Sequence, residues 1–543
     1  MHRSSKPRHI ATMVMIAVSI TSVMAATVTK SDTTTMQANA TDWSAAPAAT
    51  DTGSFDGTLS EANAAALTLG GPLTLGNLTF TNALTGPVVI TDTNALTLGN
   101  GVAITATAAN RDVVFNCPIT INAAGNTFEA NNSLSASLIF NGPITSTQQI
   151  IWRAGNATFA GGGTYPAITI NSRGTIISTL KLGASDGICT TANLIVGGAN
   201  GHGRFDLAGF NQTVSGLTKG NGASGMIANS STTADSILTV TGSTTYSGVI
   251  QDSFAGGTRK VALVIDGGTP FVLSGSGTHT GGTTIQSGTF NLADNAVLRF
   301  VTGTASEAVN KITGAGLFFA DGDFQIDTTV TEASPLTSGT WTLVGDPLEE
   351  DTFGPTFRVI SGTTAWTQDG AVWTKTSGGK TFSFDTTTAT LTLSQTGYDA
   401  WIAERGLSGN DALFDSDPDQ DGIGNGLEFV LGGEPNPANP DSNSTALLPA
   451  VSGSDGNLVF TFRRKDLSEY SSSLVFQWST DLVFDPPTHD VPIGNVDSIT
   501  DGITVDLTED SPDSETDTIT ITIPAAKAVD GKIFGRLKAT QVP

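Results

Sequence analysis

A six-residue motif occurs twice in the chain with an offset of 25 residues, as FNCPIT at 115–120 and FNGPIT at 140–145. A weaker third copy, YPAIT, follows at 165–169. A period of this length in a sequence rich in β-branched residues predicts a solenoid in which each repeat forms one coil of short strands. One coil cannot bury its own apolar side chains, so successive coils must stack. We therefore expect an all-β fold whose main body is a right-handed parallel β-helix.

The proline and asparagine of this motif have defined positions in such a coil. Pro118 and Pro143 cannot donate a hydrogen bond to a strand ladder, so they should mark corners between strands. Asn116 and Asn141 are equivalent to one another and should stack in successive coils. At about 25 residues per coil, residues 59–315 would form about ten coils.

Residues 273–298 have the composition of one complete coil. Apolar residues alternate with Thr, Ser and Asn, and glycines lie where the backbone must turn. The residues expected to face the interior are Ile285, Phe290 and Leu292. The residues expected to face water, or to stack on their equivalents in neighbouring coils, are Thr283, Thr284, Gln286 and Asn291.

Part of this coil resembles a known repeat. GSGTHTGGTTIQSGTFNL at 275–292 is similar to the autotransporter-associated β-strand repeat, although His279 replaces the usual Tyr. The positions that match the repeat are Gly281, Thr283, Gly288 and Thr289. FDLAGFNQTVSGL and TTYSGVI, earlier in the chain, resemble segments that precede this repeat in large secreted proteins of Verrucomicrobia and Planctomycetes. The resemblance implies a secreted or surface β-helical protein, and it gives no indication of an enzymatic activity.

The two ends of the chain differ in charge. A basic start and an apolar run at 10–23 lead to a cleavage point after Ala25, which predicts a secretory signal peptide. No later segment is apolar for long enough to predict a transmembrane helix. The net charge is −25, and half of the 50 acidic residues lie from Tyr398 onward. This balance excludes nucleic acid as a partner, because such binding needs clusters of Lys and Arg, and it suits a secreted or outer-surface protein.

The two cysteines are predicted to be buried and not joined to each other. Cys117 and Cys189 are 72 residues apart, which corresponds to about three coils. Three strand spacings are about 14 Å, whereas a disulfide needs Cα atoms within about 7 Å.

An acidic loop, residues 417–428, follows a short amphipathic helix predicted at 398–406. The loop has the sequence DPDQDGIGNGLE and matches the EF-hand pattern D-x-D-x-D-G-x5-E at every specified position. Clustered carboxylates repel one another unless a cation lies between them, and calcium prefers about six to eight oxygen ligands. We therefore predict a structural Ca²⁺ site. The predicted ligands are Asp417, Asp419, Asp421, the carbonyl of Ile423, Asn425 and Glu428.

The flanks of the acidic loop, SGNDA at 408–412 and LGGEP at 431–435, extend a resemblance to dockerin-like or thrombospondin-type-3-like loops of bacterial surface proteins. The resemblance implies a structural joint, because a cohesin-binding dockerin normally carries two such loops. Asp411 and Asp415 leave two alternatives open, a flanking turn or a second, incomplete site.

The rest of the C-terminal half predicts a cap and a further domain. An open solenoid end exposes unpaired strand edges, so an antiparallel cap is expected, and the alternating strands near the C-terminus predict a small β-sandwich. The predicted division is signal peptide 1–25, lead-in 26–58, parallel β-helix 59–315, β cap 316–397, calcium-loop segment 398–435, linker 436–450 and β-sandwich 451–543.

Two classes of function remain open. The first is a structural or adhesive surface protein with a calcium-stabilised C-terminal module. The second is a protein that binds or degrades polysaccharide, whose partners would be extracellular polysaccharides or other cell-surface components. Gly201-His202-Gly203 resembles a polygalacturonase fragment, but the paired carboxylates needed for hydrolysis are missing around it, and Arg204 and Lys219 are isolated. We therefore expect His202 to be a turn residue and find no convincing catalytic constellation.

Overall fold

The structure, a computed structural model, describes residues 25–542 apart from a few short gaps. The predicted signal peptide, except for Ala25, lies outside the described residues. The chain divides into two compact units, Met1–Leu180 and Lys181–Pro543. The gaps are 100, 123–125, 131–135, 173–176, 199–200, 306–308, 335, 337, 346–351, 378–379, 396, 455, 470 and 485–488.

The chain is nearly all β, and both units contain coils of a parallel β-solenoid, about 11 in total. Each coil consists of short strands separated by corners, and a strand pairs in parallel with its equivalent in the next coil. The parallel β-helix predicted from the repeat is thereby confirmed.

In the first unit, apolar side chains from equivalent strands form continuous columns. Leu73, Leu96, Ile119 and Ile144 occupy equivalent register positions in four successive strands, and all are buried. The strands of this unit are Thr27–Thr29, Thr52–Phe55, Leu73–Leu75, Asn77–Phe80, Val88–Thr91, Leu96–Leu98, Val102–Ala106, Val113–Asn116, Ile119–Ile121, Asn126–Ala130, Ser137–Phe140, Ile144–Ser146, Ile150–Arg153, Asn156–Phe159, Gly163–Thr164 and Ala167–Asn171, with Ser178–Leu182 at its boundary and one short helix, Glu61–Ala64.

The first two copies of the motif are aligned as predicted. Phe140 pairs with Phe115, and their rings stack with centroids 5.3 Å apart. Asn141 Nδ2 donates a 2.8 Å hydrogen bond to Asn116 Oδ1, which confirms the asparagine ladder. Pro118 lies in the corner between two strands, also as predicted.

The third copy of the motif was assigned incorrectly. The residue in register with Phe140 is Phe159, 19 residues later, and Gly163 is in register with Ile144. The segment that contains Ile168 pairs instead with the strand Ile150–Arg153, on another side of the coil. The coil is shorter here, so the 25-residue period does not continue.

The solenoid begins earlier than the predicted boundary, because Thr27–Thr29 already pairs in parallel with the next strand. This segment was predicted as a lead-in, and it closes one end of the first unit. Lys30 is fully buried, and its ammonium group donates to the carbonyl and hydroxyl oxygens of Thr33 at 3.0 and 2.8 Å. The hydroxyl of Thr33 donates in turn to Asp42 Oδ1 at 2.7 Å, and Trp43 is buried.

In the second unit, the coil at 273–298 has the predicted interior residues, since Ile285, Phe290 and Leu292 are all buried. Thr283 was predicted to face water or to stack on like residues, and it does neither. It is buried in register with Leu263 and Ile312, and its hydroxyl lies 3.0 Å from Nε2 of the buried His279. The solenoid strands of this unit are Asn193–Val196, His202–Asp206, Gln212–Val214, Gly216–Lys219, Ser224–Asn229, Ser236–Val240, Thr244–Tyr246, Val249–Ser253, Val261–Asp266, Phe271–Leu273, Ser276–Gly277, Thr283–Ser287, Thr289–Leu292, Val297–Val301, Ile312–Gly314, Leu317–Ala320, Asp323–Asp327 and Arg358–Ser361.

Parallel pairing extends past residue 315, since Arg358–Ser361 still pairs with Asp323–Asp327. The predicted antiparallel cap follows it. The ammonium group of the buried Lys380 donates to the carbonyls of Glu332 at 2.8 Å and Ser334 at 2.5 Å, at the end of the short helix Thr329–Glu332. A hairpin strand, Thr364–Ala365, pairs with the last solenoid strand. The cap sheet, in spatial order, is Ser338–Thr342, Thr390–Gln395, Lys380–Asp385, Val372–Ser377 and Thr367–Asp369.

The C-terminal part is a two-sheet sandwich preceded by two short helices. Apolar residues of both sheets share one core with Val430 and Leu431 from the second helix. The helices are Tyr398–Glu404 and Asn425–Leu431, and the 3₁₀ turns are Gly409–Ala412, Thr445–Leu447, Asp466–Ser468 and Ala525–Lys527. The sheets, in spatial order, are Ala450–Ser454, Asn457–Lys465, Thr516–Ile523, Ile503–Asp513 and Ser498–Thr500, and then Asp490–Ile493, Ser472–Ser479 and Phe534–Gln541.

Both cysteines are buried. Cys117 and Cys189 form no disulfide, as the sequence predicted.

Candidate metal centre

The acidic loop is positioned by the two helices on either side of it. Tyr398, Trp401 and Ile402 of the first helix form a small buried core with Phe429 of the second. The first helix ends at a left-handed glycine, Gly406 with φ 75°, as predicted. The N–H of Asn425 donates to the carbonyl of Ser416 at 2.8 Å, which joins the two ends of the loop.

The three aspartates of the loop converge. Asp417, Asp419 and Asp421 each present one carboxylate oxygen within 4.8 Å of the others. The loop turns at Gly422, whose φ is 91° and whose N–H donates to Asp417 Oδ2 at 3.0 Å. The N–H of Ile423 donates to Asp421 Oδ1 at 2.8 Å. Burial, together with the two neighbouring carboxylates, raises the pKa of Asp419.

The later predicted ligands are buried beneath the loop. The side chain of Ile423 is buried, as predicted. Asn425 is fully buried, and its Nδ2 donates to the carbonyls of Asp411 at 2.9 Å and Leu413 at 2.8 Å. This fixes the orientation of the amide and leaves its Oδ1 available for another partner.

Glu428 is fully buried, although it lies outside the group of carboxylates within 4.8 Å of one another. Burial raises its pKa to about 7, and the negative charges of the three aspartates add to this shift. Its Oε1 accepts a 2.6 Å hydrogen bond from the hydroxyl of Ser444. A buried carboxylate next to three others is costly unless a cation compensates it.

Ser444 is a site residue that sequence reasoning missed, because it lies within the predicted linker. Its backbone N–H donates to Asp421 Oδ2 at 2.5 Å, while its hydroxyl reaches Glu428. Ser444 thus connects two predicted ligands from outside the loop. A Cβ at Gly433 would lie 2.4 Å from Ser444 Oγ, so only glycine fits beside it. Position 444 has no fixed spacing from the EF-hand pattern, so the motif gives no signal for it.

Four buried oxygens of the predicted ligands have no hydrogen-bond partner among the described residues. These atoms are Asp417 Oδ1, Asp419 Oδ2, Asn425 Oδ1 and Glu428 Oε2. Buried polar atoms without partners are rare in folded proteins, and oxygen donors of this kind are those that calcium prefers. Asp411 and Asp415 do not belong to this group of carboxylates.

A second group of three carboxylates in the sandwich has a different balance of charge. Asp466, Glu469 and Asp517 also lie within 4.8 Å of one another. The buried guanidinium of Arg464 donates Nη2 to Glu469 Oε1 at 2.6 Å and to Asp517 Oδ2 at 2.7 Å. Burial, together with the Asp517 carboxylate, raises the pKa of Glu469 to about 8, against the attraction of Arg464. Arg464 and a proton retained on Glu469 therefore offset two of the three negative charges of this group.

The residues considered for catalysis make structural contacts. His202 lies on a strand rather than in the predicted turn, with Nδ1 2.7 Å from the hydroxyl of Ser224. The guanidinium of Arg204 lies over the ring of Phe254, 4.4 Å from its centroid. Asp206 accepts hydrogen bonds from the next coil.

Comparisons of the chain with protein-family models, with curated proteins and with solved structures found no match. Among the described residues, no helix has the length and apolar character to cross a membrane.

Proposed function

We propose that this chain is a secreted or cell-surface structural protein with an adhesive role, in which a Ca²⁺ ion stabilises the C-terminal module. The four buried oxygens without partners in and around the acidic loop are the observation that carries the calcium part of the proposal. A bound calcium ion would neutralise the carboxylates and give these oxygens a partner. The predicted ligands would hold it, and Ser444 would keep Glu428 and Asp421 in place.

The acidic composition supports an extracellular setting. Isolated calcium sites of extracellular modules work at about 10⁻⁴ to 10⁻³ M calcium. A single loop with one buried glutamate suits a structural calcium site better than a calcium sensor, in which such loops are paired. The predicted signal peptide and the resemblance to surface repeat proteins favour the same location.

The stacked coils support the structural role. Each coil contacts its neighbours through parallel ladders and apolar columns, as expected of an extended scaffold. In this proposal the scaffold presents the C-terminal module, which follows it in the chain.

Calorimetry of the full chain in calcium and in EDTA tests the calcium site. Calcium at about one hundred times its Kd should stabilise the C-terminal transition by about 3 kcal/mol. The double variant Asp417→Asn with Asp419→Asn should melt in EDTA no lower than the wild type, because two repelling charges are gone, but should lose the calcium shift.

The matched control is Asp411→Asn with Asp415→Asn, which removes the same charge beside the loop and should keep the calcium shift. Equal melting of the wild type in calcium and in EDTA would contradict the proposal. A control that also loses the shift would show that general acidity, and not the loop, binds the ion.

A further inference from the structure

A groove of about 590 Å³ lies across successive coils of the second unit. Its described lining comes mainly from turns and strands in three coils, including Thr283–Ser287 and Ile312–Gly314, which pair in parallel. Neighbouring strands are about 4.8 Å apart, so three strands cover about 10 Å in the stacking direction. The groove therefore extends across neighbouring coils for about 10 Å in the stacking direction.

Two lysines give this groove a local positive charge. Lys260 and Lys311 line it and are exposed. Within the part of the chain that the structure describes, neither ammonium group forms a salt bridge, whereas the nearby Arg299 pairs with Asp327 at 2.5 Å. No acidic residue belongs to the described lining, from which 306–308 are excluded. Two carboxylates adjoin the lining without belonging to it, since Asp252 accepts from Thr280 and Asp235 accepts from the N–H of Lys260. The two ammonium groups are therefore the charged groups of the described lining, and they can attract an anion.

Threonine hydroxyls form the floor between the lysines. The hydroxyls of Thr284 and Thr313 lie 3.4 Å apart in successive coils. Thr280 donates its hydroxyl to Asp252 Oδ2 at 2.6 Å, which fixes one edge of the groove. The floor thus offers a pair of adjacent hydroxyl groups from two successive coils.

The wall of the groove is rigid. Asn310 Nδ2 donates to the carbonyls of Arg299 at 2.7 Å and His279 at 3.2 Å, and its Oδ1 accepts from the N–H of Val301 at 2.8 Å. Three hydrogen bonds from one side chain therefore hold neighbouring segments together. These bonds hold the described part of the wall in place for a ligand.

We propose that this groove binds an anionic sugar chain, bearing carboxylate or sulfate groups, laid along the stacking direction of the coils. The two ammonium groups pair with acid groups of the sugar, and the threonine hydroxyls exchange hydrogen bonds with ring hydroxyls. The apolar edges, Val301 and Val309, contact the C–H faces of the rings. The inference supplies a ligand class for the adhesive role proposed above, but it does not depend on the acidic loop.

Binding of labelled oligogalacturonate, heparin-derived oligosaccharide and neutral cello-oligosaccharide to the full chain tests this proposal. The wild type should bind at least one of the two anionic chains, with affinity that falls as salt is added, and should bind the neutral chain more weakly. Lys260→Gln with Lys311→Gln should weaken anionic binding by about tenfold, or about 1.4 kcal/mol. Comparing the affinity for oligogalacturonate with that for the heparin-derived oligosaccharide decides whether the groove prefers carboxylate or sulfate groups.

The matched control is Lys181→Gln with Lys538→Gln, which removes two exposed lysines elsewhere in the same unit and should leave binding unchanged. Thr313→Val, an isosteric change on the groove floor, should also weaken binding. This second variant keeps the proposal testable if the lysine variant does not fold. Binding in EDTA should persist, which separates this test from that of the calcium site. Equal binding by the groove variant and the wild type would overturn the proposal, as would binding of inorganic sulfate without any oligosaccharide.

Discussion

The hydroxyl of Ser444 donates a 2.6 Å hydrogen bond to the buried carboxylate of Glu428, 16 residues earlier in the chain. The same serine also binds Asp421 through its backbone N–H. A segment predicted to be a linker is therefore hydrogen-bonded to the acidic loop. The free energy of calcium binding should depend on these hydrogen bonds.

Ser444→Ala should weaken calcium binding by about tenfold or more, because second-sphere partners orient metal ligands. The backbone N–H to Asp421 remains in the variant, whereas Glu428 loses its donor. Calcium titration followed by isothermal calorimetry measures the change. Ser444→Thr should recover most of the affinity, since it restores a hydroxyl.

Ser442→Ala is the control for this prediction, since it removes a hydroxyl from the same turn but not the bond to Glu428. An unchanged calcium affinity in Ser444→Ala would mean that Glu428 does not depend on Ser444 for its position.

Gly288→Ala should destabilise the second unit severely. Gly288 has φ 79°, and a Cβ there would lie 1.7 Å from the carbonyl oxygen of Gly267 in the preceding coil. Backbone must move to relieve this overlap, so the expected loss is on the order of 4 kcal/mol. Urea unfolding followed by circular dichroism measures it through the midpoint of the transition.

Gly256→Ala is the matched control, because Gly256 has a similar φ of 85° but nothing within 4 Å of an added Cβ. It should cost only about 1 to 2 kcal/mol for the left-handed conformation. Equal losses for the two variants would show that the close approach of the coils at Gly288 is unimportant.

Acidification should destabilise the second unit through His279. Burial lowers the pKa of this histidine from 6.5 to about 4, although Asp252 opposes the shift, and its Nδ1 is a buried atom without a partner among the described residues. Between pH 6.5 and 4 the unfolded chain binds a proton that the folded chain does not, so stability is complete above pH 6.5 and falls as the pH approaches 4.

The expected loss is on the order of 3 kcal/mol, at about 1.36 kcal/mol for each unit of pKa. His279→Gln should remove this part of the pH dependence, and urea unfolding at pH 7, 5.5 and 4.5 measures it. A variant whose stability still falls in parallel with that of the wild type would exclude His279 as the cause.

Glu469 should have the opposite effect in the C-terminal sandwich. Its pKa is raised from 4.5 to about 8, so the folded chain keeps a proton that the unfolded chain has released. This contribution is complete below pH 4.5 and is lost as the pH rises through 8. Glu469→Gln mimics the protonated acid and should be more stable than the wild type at pH 8.5 but not at pH 5.

Calorimetry of the sandwich transition at these two pH values provides the measurement. Asp530→Asn, a change of equal charge at an exposed position, serves as control. A destabilised Glu469→Gln variant at pH 8.5 would instead mean that its ionised pair with Arg464 is the dominant interaction.

Sequence reasoning recovered features that depend on local pattern. The coil period correctly predicted that Phe115 and Phe140 are in register. The EF-hand spacing correctly predicted that the carboxylates of Asp417, Asp419 and Asp421 lie close together. It failed where coil length changes, as at Tyr165, since a period found in two coils does not specify the length of the next. It also failed to predict that the N-terminal segment is ordered as part of the solenoid. The hydrogen-bond partners of Lys30 there are small polar residues, which follow no repeat pattern.

The sequence by itself determined the stacked-coil architecture and the identity of the acidic loop, because hydrophobic periodicity and ligand spacing are local properties of the chain. Only the tertiary structure decided that Ser444 returns to Glu428, that Thr283 is buried against His279, and that Lys260 and Lys311 line one groove. The physical reason is that these contacts join residues from different coils or segments. Their proximity depends on how long each coil is and where the chain turns, which no short pattern specifies.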